Sequence, residues 1–205
     1  MNTHRRLSAF VAGTLLCFAT LAHAQSEPPD ALVKRVSSDV LETVKADPKL
    51  RSGQLDPVIA LVDNKLLPYL DLERMTASAV GPGWNKATPE QKQSLQDEFK
   101  TLLIRVYSGA IAQAADKSIV VRPAKAADDA KDVVVRTQIQ GPGEPVPLDF
   151  RLERADAGWK VFDVNVSGVW LVENYRGSFA QQVNAGGIDG LIKTLRDKNQ
   201  SNAKR

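Results

Sequence analysis

The most constraining feature of this sequence is a change in the spacing of its apolar residues near residue 117. Before that point, apolar residues recur at intervals of three to four, the period of an amphipathic helix. After it, they alternate with polar residues, the period of a strand with one buried face. Because a block of helices precedes a block of strands, the sequence predicts one α+β domain, a helical layer packed on a curved four-stranded antiparallel sheet.

The helical half is predicted to contain four helices. The strongest signal is at residues 88–91, where Thr88 can cap a helix, Pro89 takes its first position and Gln91 completes a capping box. An earlier helix is expected to begin at a capping Asp30. The predicted helices cover residues 30–47, 56–67, 71–80 and 89–115.

The second half is predicted to form the sheet. In its last strand, Phe162, Val164 and Val166 are expected on the dry face, whereas Asp163 and Asn165 are expected to face solvent. The predicted strands cover residues 119–121, 133–139, 148–152 and 162–166, and two helices follow over 175–183 and 188–198, separated by a Gly-Gly turn at 186–187.

The first 24 residues are typical of a secretory signal peptide. Arg5 and Arg6 precede an apolar run over residues 7–21, which ends in the small-residue site Ala-His-Ala. The run is shorter than the roughly 20 apolar residues that span a membrane. Residues 1–24 are therefore predicted to be removed, which leaves 25–205 as a single exported domain with a polar C-terminal tail.

Removal of the signal peptide would also remove every cysteine and histidine, since these are Cys17, His4 and His23. The mature chain then lacks the groups for imidazole or thiolate metal sites and for Ser-His-Asp or Cys-His catalysis. Of the chain's 27 basic residues, 25 remain beside 24 acidic ones, and the two signs are interleaved. Nucleic acid is not an expected partner, because a phosphate backbone is bound by a one-sided basic stripe.

Carboxylates and tyrosines are the acid–base groups that remain. Asp149 and Asp163 on neighbouring predicted strands, with Tyr107 or Tyr175 as proton donor, form the best enzyme site available, an isomerase or hydrolase acting on an apolar substrate. Both aspartates alternate away from the predicted dry face, which favours surface pairs with arginines such as Arg151. The enzyme stays the alternative to a binding protein.

The predicted interior is aliphatic. Leu, Val and Ile supply most of the periodic positions, and ten aromatic residues lie outside the signal peptide. This pattern fits a filled core and equally fits a cavity for a flexible hydrocarbon. A third class of protein, a lipid-free adaptor, predicts a solid core and an exposed apolar patch.

Several short segments carry a family resemblance through their order and spacing. They are Leu-Leu-Pro-Tyr at 66–69, Trp84, Ala-Thr-Pro-Glu-Gln at 87–91, residues 99–111, Trp-Lys-Val-Phe-Asp-Val at 159–164, Gly168, Val169, residues 171–172 and 174–176, Phe179 and residues 187–191. In these segments the chain resembles the MlaC family, also called the toluene-tolerance auxiliary family. Its members are periplasmic lipid-binding components of a phospholipid ABC transport system.

The resemblance implies that helices and sheet enclose an apolar pocket for the acyl chains of a phospholipid, with the head group near solvent. It implies a periplasmic carrier without catalytic residues, and without a cofactor or metal, whose bound ligand is the phospholipid. The implied partners are an outer-membrane lipoprotein and porin complex and an inner-membrane ABC transporter with its substrate-binding-ring subunit. Shuttling between them would maintain outer-membrane lipid asymmetry. Trp170 departs from the small residue expected there and, if near the pocket, would alter its shape.

Under this hypothesis, the pocket is lined by inward positions of the second to fourth helices and of the strands. These positions follow from apolar periodicity, which identifies a buried face without naming what it faces. The predicted lining residues are Val58, Val62, Leu66, Met75, Leu102, Val106, Val135, Leu148, Phe150, Phe162 and Val164.

Overall fold

The computed structural model describes residues 27–127 and 129–202, so the predicted signal peptide lies outside the described residues. None of the described helices is long and apolar enough to cross a membrane. The α-helices in this part of the chain are α1 (Pro29–Ala46), α2 (Pro48–Arg51), α3 (Leu55–Leu61), α4 (Leu72–Val80), α5 (Pro89–Ala112) and α6 (Leu171–Asn202). A π-helical turn (Val62–Leu66) and 3₁₀ turns (Leu67–Tyr69, Gly81–Lys86, Gln113–Asp116) connect them. The strands are β1 (Ser118–Val121), β2 (Asp132–Val135), β3 (Thr137–Gln140), β4 (Val146–Ala155), β5 (Gly158–Val166) and β6 (Val169–Trp170).

The predicted helices are present, and local capping sets their ends. The Thr88 side chain accepts a hydrogen bond from the Gln91 backbone N–H at 3.2 Å, and the Gln91 side chain accepts one from the Thr88 N–H at 3.0 Å. This is the capping box predicted for α5. The prediction that Asp30 caps α1 was wrong, because Pro28 occupies that position and the Asp30 carboxylate instead accepts from the Ala124 N–H at 3.3 Å.

All strands pair antiparallel in the order β1-β3-β4-β5-β6, and β2 also pairs with β4. One predicted strand appears as two, β2 and β3, which are separated at Arg136. β4 is long enough to pair with both, so Val135 of β2 lies opposite Phe150 and Ile139 of β3 lies opposite Val146. The two-residue β6, at the end of β5, is the other addition to the four predicted strands.

A β-bulge at Phe162 changes which residues of β5 face inward. The consecutive β4 residues 151 and 152 lie opposite Asp163 and Val161, which leaves Phe162 without a partner on β4. Because this extra residue shifts the alternation, Val161 lies on the inner face with Val164, whereas Phe162 packs on the outer side against the helices, so its predicted place on the dry face was wrong. Asp163 lies on the outer face, as alternation predicts, but the start of α6 covers it. The prediction that Asp163 and Asn165 face solvent was wrong, since both are buried.

Three apolar clusters hold the layers together. The helical cluster joins α4, α5 and α6 around Phe99, whose ring centroid lies 5.2 Å from those of Tyr175 and Phe179. The sheet cluster packs α1 on the inner face of the sheet, where Leu32 shares its core with Trp159. The third cluster joins α1 to α2, α3 and α5. α1 therefore contacts both halves of the molecule.

The outer face of the sheet is fixed to the start of α6 by a buried carboxylate. Asp163 Oδ1 accepts hydrogen bonds from the backbone N–H groups of Val172 at 3.1 Å and of Val164 at 2.9 Å. The other carboxylate oxygen lies 3.3 Å from Arg151 Nη1. Asp163 thus satisfies one of the free N–H groups in the first turn of α6, as a capping residue does.

α6 contains the predicted break and ends later than predicted. The Gly-Gly turn is present as a break at Gly187, whose φ of 67° suits a residue without a Cβ. Beyond the predicted end at residue 198, the Asn199 side chain is buried and its Nδ2 donates to the Glu98 backbone oxygen at 2.9 Å. The helix continues to Asn202.

The buried Asp163 generates a prediction about stability and pH. Burial raises the pKa of its carboxyl above the ordinary 3.8, against the lowering effect of the hydrogen bonds from Val172 and Val164. The folded chain therefore holds this proton more tightly than the unfolded chain, and the contribution of Asp163 to the free energy of unfolding should fall as pH rises from 3.8 through the folded pKa.

Urea unfolding at closely spaced acidic pH values measures this effect. The other carboxyl groups titrate in both proteins, so the contribution of Asp163 is their difference: the free energy of unfolding of the natural sequence should fall relative to that of Asp163→Asn over this pH range. Two superimposable profiles would contradict the raised pKa.

Candidate functional site

An apolar cavity lies between α1 and the inner face of the sheet, and residues 66–70 form one of its sides. Among the described residues that line it, only Ser37 and Tyr69 carry polar side-chain atoms. The wall therefore offers hydrophobic contact rather than acid–base chemistry. It consists of Leu32, Val33, Val36, Ser37, Val40, Leu41, Leu66, Tyr69, Leu70, Ile119, Ile139, Leu148, Phe150 and Val161.

The wall combines the apolar face of a helix with the apolar face of the sheet. α1 contributes residues at helical spacing, such as Val33, Val36 and Val40, so one stripe of the helix covers the cavity. On the sheet side, Ile119 of β1 lies directly opposite Ile139 of β3, and both face inward. The cavity is thus lined by α1, by residues of β1, β3, β4 and β5, and by the segment 66–70.

The segment 66–70 reaches the wall because the helical path ends there. α3 continues as a π-helical turn and then a 3₁₀ turn that contains Pro68. The chain next forms a parallel bridge between Leu70 and Val161, and the Asp71 N–H donates to the Val161 oxygen at 2.8 Å. This attachment to β5 holds Tyr69 and its neighbours against the cavity.

Polar contacts occur at the edge of the cavity rather than inside it. The Tyr69 hydroxyl accepts a hydrogen bond from Arg35 at 3.2 Å, and Arg35 also pairs with Glu27 at 2.7 Å. Lys65 Nζ lies 2.9 Å from the Asp39 carboxylate of α1. These pairs connect α1 to its surroundings through exposed side chains.

The size of the cavity limits what it can hold. Its volume is about 190 Å³. A cavity of about 150 Å³ holds a benzene-sized molecule, whereas pockets for drug-sized ligands measure roughly 300–1,000 Å³. The cavity therefore accepts a short stretch of hydrocarbon as it stands, and a longer chain only if α1 and the sheet move apart.

Three of the predicted lining residues, Leu66, Leu148 and Phe150, lie in this wall. Val135 and Val164 belong to the adjoining sheet cluster, outside the wall itself. Ligand contact at every predicted position stays a prediction. The remaining positions are distributed as follows: Val58 and Val62 in the cluster of α1, α2, α3 and α5; Met75 and Leu102 in the helical cluster; Phe162 packed against that cluster; and Val106 on the surface, 49% exposed.

Helix α1 is the part of the wall that sequence reasoning missed. Its stripe has the same period as those of α3 and α5, and a period does not say which layer a stripe meets. α3, α4 and α5 instead pack on one another, on α1 and on α6. No signal in the periodicity alone could have separated the covering helix from the others.

The residues of the alternative enzyme site do not converge on the cavity. Asp149 accepts a hydrogen bond from the Thr137 N–H at 3.0 Å, and Asp163 is engaged with α6 on the outer face of the sheet. Tyr107 and Tyr175 lie on α5 and α6, where burial raises the pKa of each hydroxyl. None of these four residues is part of the described wall.

Trp170 also lies outside the wall. It belongs to β6 opposite Asn165, and the Arg151 guanidinium is 3.9 Å from the centroid of its ring. Its effect on a bound ligand stays a prediction.

The family is decided by the extent of the sequence match. The sequence model described as MlaC protein matches residues 34–197. The chain belongs to the MlaC family. The resemblance inferred from its motifs is therefore confirmed, and the match includes most of the cavity wall.

Relatives and a solved structure support the same assignment. The chain is 31% identical over 183 residues to the toluene tolerance protein ttg2D of Pseudomonas putida, covering 88% of this chain and 84% of that protein. It is 24% identical over 171 residues to the intermembrane phospholipid transport system binding protein MlaC of Haemophilus influenzae, covering 82% and 80%.

The solved structure is the phospholipid-binding protein from Ralstonia solanacearum, in complex with a phospholipid. It matches with a TM-score of 0.83 and 46% sequence identity, covering 86% of this chain and 99% of that one. The predicted α+β fold class is thereby confirmed.

A substitution at Ser37 tests whether the cavity is empty space rather than filled core. Ser37→Leu adds methylenes to an apolar void, and cavity filling should raise the free energy of unfolding of the lipid-free protein by about 1 kcal/mol. Urea unfolding measures the change. Ser38→Leu, the same replacement at a neighbouring position outside the wall, is the matched control and should not share the gain. A destabilised Ser37→Leu would indicate overpacking and contradict the cavity.

Proposed function

We propose that this protein is a periplasmic phospholipid carrier that shields acyl chains in the cavity beneath α1. The observation that carries the proposal is the almost entirely aliphatic wall, in a fold shared with a relative solved in complex with a phospholipid. An aliphatic wall suits flexible hydrocarbon, because it supplies many weak contacts and few fixed polar groups.

A carrier is needed because exposing acyl chains to water costs free energy. Two acyl chains with roughly 30 methylenes in total expose apolar surface worth on the order of 20 kcal/mol, at about 0.8 kcal/mol per methylene. A protein that covers these chains removes most of that barrier. It needs no bond making or breaking, so the proposed role is not enzymatic.

Loading requires the cavity to widen, and we infer that α1 is the element that moves. Two polar contacts between exposed side chains tie it to the cavity edge, the hydrogen bond from Arg35 to Tyr69 and the ion pair of Asp39 with Lys65. An exposed ion pair contributes about 0.2–1 kcal/mol. Acyl chains that enter beneath α1 replace the apolar contacts it loses. The sheet and α6 remain joined through Asp163.

The proposed route follows from the family. The name of the Haemophilus influenzae relative describes a binding protein of an intermembrane phospholipid transport system. We infer that this chain accepts phospholipid at one membrane and delivers it at the other. Its partners are then an outer-membrane lipoprotein and porin complex and an inner-membrane ABC transporter with its substrate-binding-ring subunit. This exchange would support outer-membrane lipid asymmetry.

The direct test is lipid extraction from the purified mature protein, followed by mass spectrometry. We expect phospholipid in a fixed ratio to protein, and uptake from vesicles after delipidation. Protein that is free of phospholipid and takes none from vesicles would overturn the proposal.

The movement of α1 gives a kinetic prediction. Asp39→Asn removes the charge that pairs with Lys65, so lipid exchange with vesicles should become faster, by up to about fivefold for one exposed pair. Fluorescent-lipid transfer measures the rate. Asp197→Asn is the matched control, because it breaks the exposed pair with Lys193 on α6, away from the cavity. Equal acceleration by both variants would argue against a specific role for α1.

A further inference from the structure

A second cavity, of about 380 Å³, adjoins the apolar one at the C-terminal end of α1. Leu41 lines both cavities, and Ser118 of the second directly precedes Ile119 of the first. The seam between α1 and β1 therefore leads from the apolar cavity into the second. Its lining residues are Leu41, Glu42, Lys45, Ala115, Asp116, Lys117 and Ser118.

The second cavity is lined by equal numbers of positively and negatively charged side chains. Two lysines, Lys45 and Lys117, and two carboxylates, Glu42 and Asp116, line it. Within the described residues, none of the four has an ion-pair partner. Lys117 Nζ donates to a backbone oxygen, that of Pro142, at 3.2 Å. All four charges are thus available to a ligand.

This end of the sheet is also where the inner face reaches water. β1 begins here, β3 ends and β4 begins. The inward residues Ile119 and Ile139 continue across the sheet to Val146, which is 41% exposed. A ligand whose acyl chain lies in the apolar cavity can therefore emerge at this end of the sheet, with its head group beside the charged cavity.

We infer, on the basis of the proposed carrier function, that the second cavity binds the zwitterionic head group of an amino-phospholipid such as phosphatidylethanolamine. Lys45 and Lys117 are the partners for its phosphate, and Glu42 and Asp116 are those for its ammonium. The site has no net charge, as the head group has none. An anionic head group such as phosphatidylglycerol satisfies the lysines but leaves both carboxylates without a cation.

A competition experiment isolates the head group. Delipidated mature protein is incubated with vesicles of equimolar phosphatidylethanolamine and phosphatidylglycerol that carry identical acyl chains, and the extracted lipid is quantified by mass spectrometry. We expect the natural sequence to enrich phosphatidylethanolamine by about fivefold, the upper range for an exposed ion pair.

Two double variants complete the test. Glu42→Gln with Asp116→Asn should lose or reverse the enrichment while total lipid per protein is unchanged, since the apolar cavity is intact. Glu73→Gln with Asp129→Asn removes the same charge from exposed residues outside both cavities and should keep the enrichment.

The possible outcomes separate the two hypotheses. Uptake without preference, or the same preference in both double variants, overturns the head-group site and leaves the carrier function standing. Failure of the natural sequence to take up either lipid overturns the carrier function, and the head-group site with it.

Discussion

The packing of α1 on the inner face of the sheet is the contact on which the cavity depends. A helix that covers a concave sheet meets it closely at some points and leaves space at others. Here Leu32 and Val33 pack against the sheet core around Trp159, while Val36 and Val40, one and two turns farther along, face open volume. The apolar face of α1 thus packs on the sheet near the start of the helix and, through the buried Val44, on α2, α3 and α5 near its end, and it covers the cavity in between.

The two faces of the sheet are attached to helices by different forces. On the outer face, the buried Asp163 accepts a hydrogen bond from the Val172 N–H at the start of α6, and breaking it would leave that backbone N–H without a partner in a place with little water. On the inner face, apolar contact dominates and the polar links are exposed. Hydrocarbon can replace apolar contact, whereas it cannot replace a buried hydrogen bond. In the proposed carrier, this difference would keep α6 on the outer face while α1 separates from the inner one.

Local chemistry allowed the elements to be predicted, and non-local packing limited prediction of the site. Thr88 and Gln91 define the start of α5 within four residues of sequence, so no tertiary information was needed. The bulge at Phe162 depends on how β5 aligns with β4, and strict alternation therefore assigned Phe162 to the wrong face. Alternation gave the correct face for Asp163 but could not show that α6 covers it. The strand residues Leu148 and Phe150 were placed in the wall because a sheet has only two faces. The helix that covers the cavity could not be predicted in this way, because several helices have an apolar face that could have packed on the sheet.

The position of α1 in the chain has a consequence for how the molecule is made. α1 is the first helix of the described chain, yet the strands it packs against, β4 and β5, are synthesised near the end. Its apolar stripe has no sheet to cover until that late stage, and contacts between such distant parts of a sequence form slowly. The apolar face of α1 is therefore exposed in the nascent chain until β4 and β5 have been made. Exposed apolar surface makes a partly folded chain prone to aggregation. The surface that would shelter a lipid in the proposed carrier is therefore left exposed until the sheet has formed.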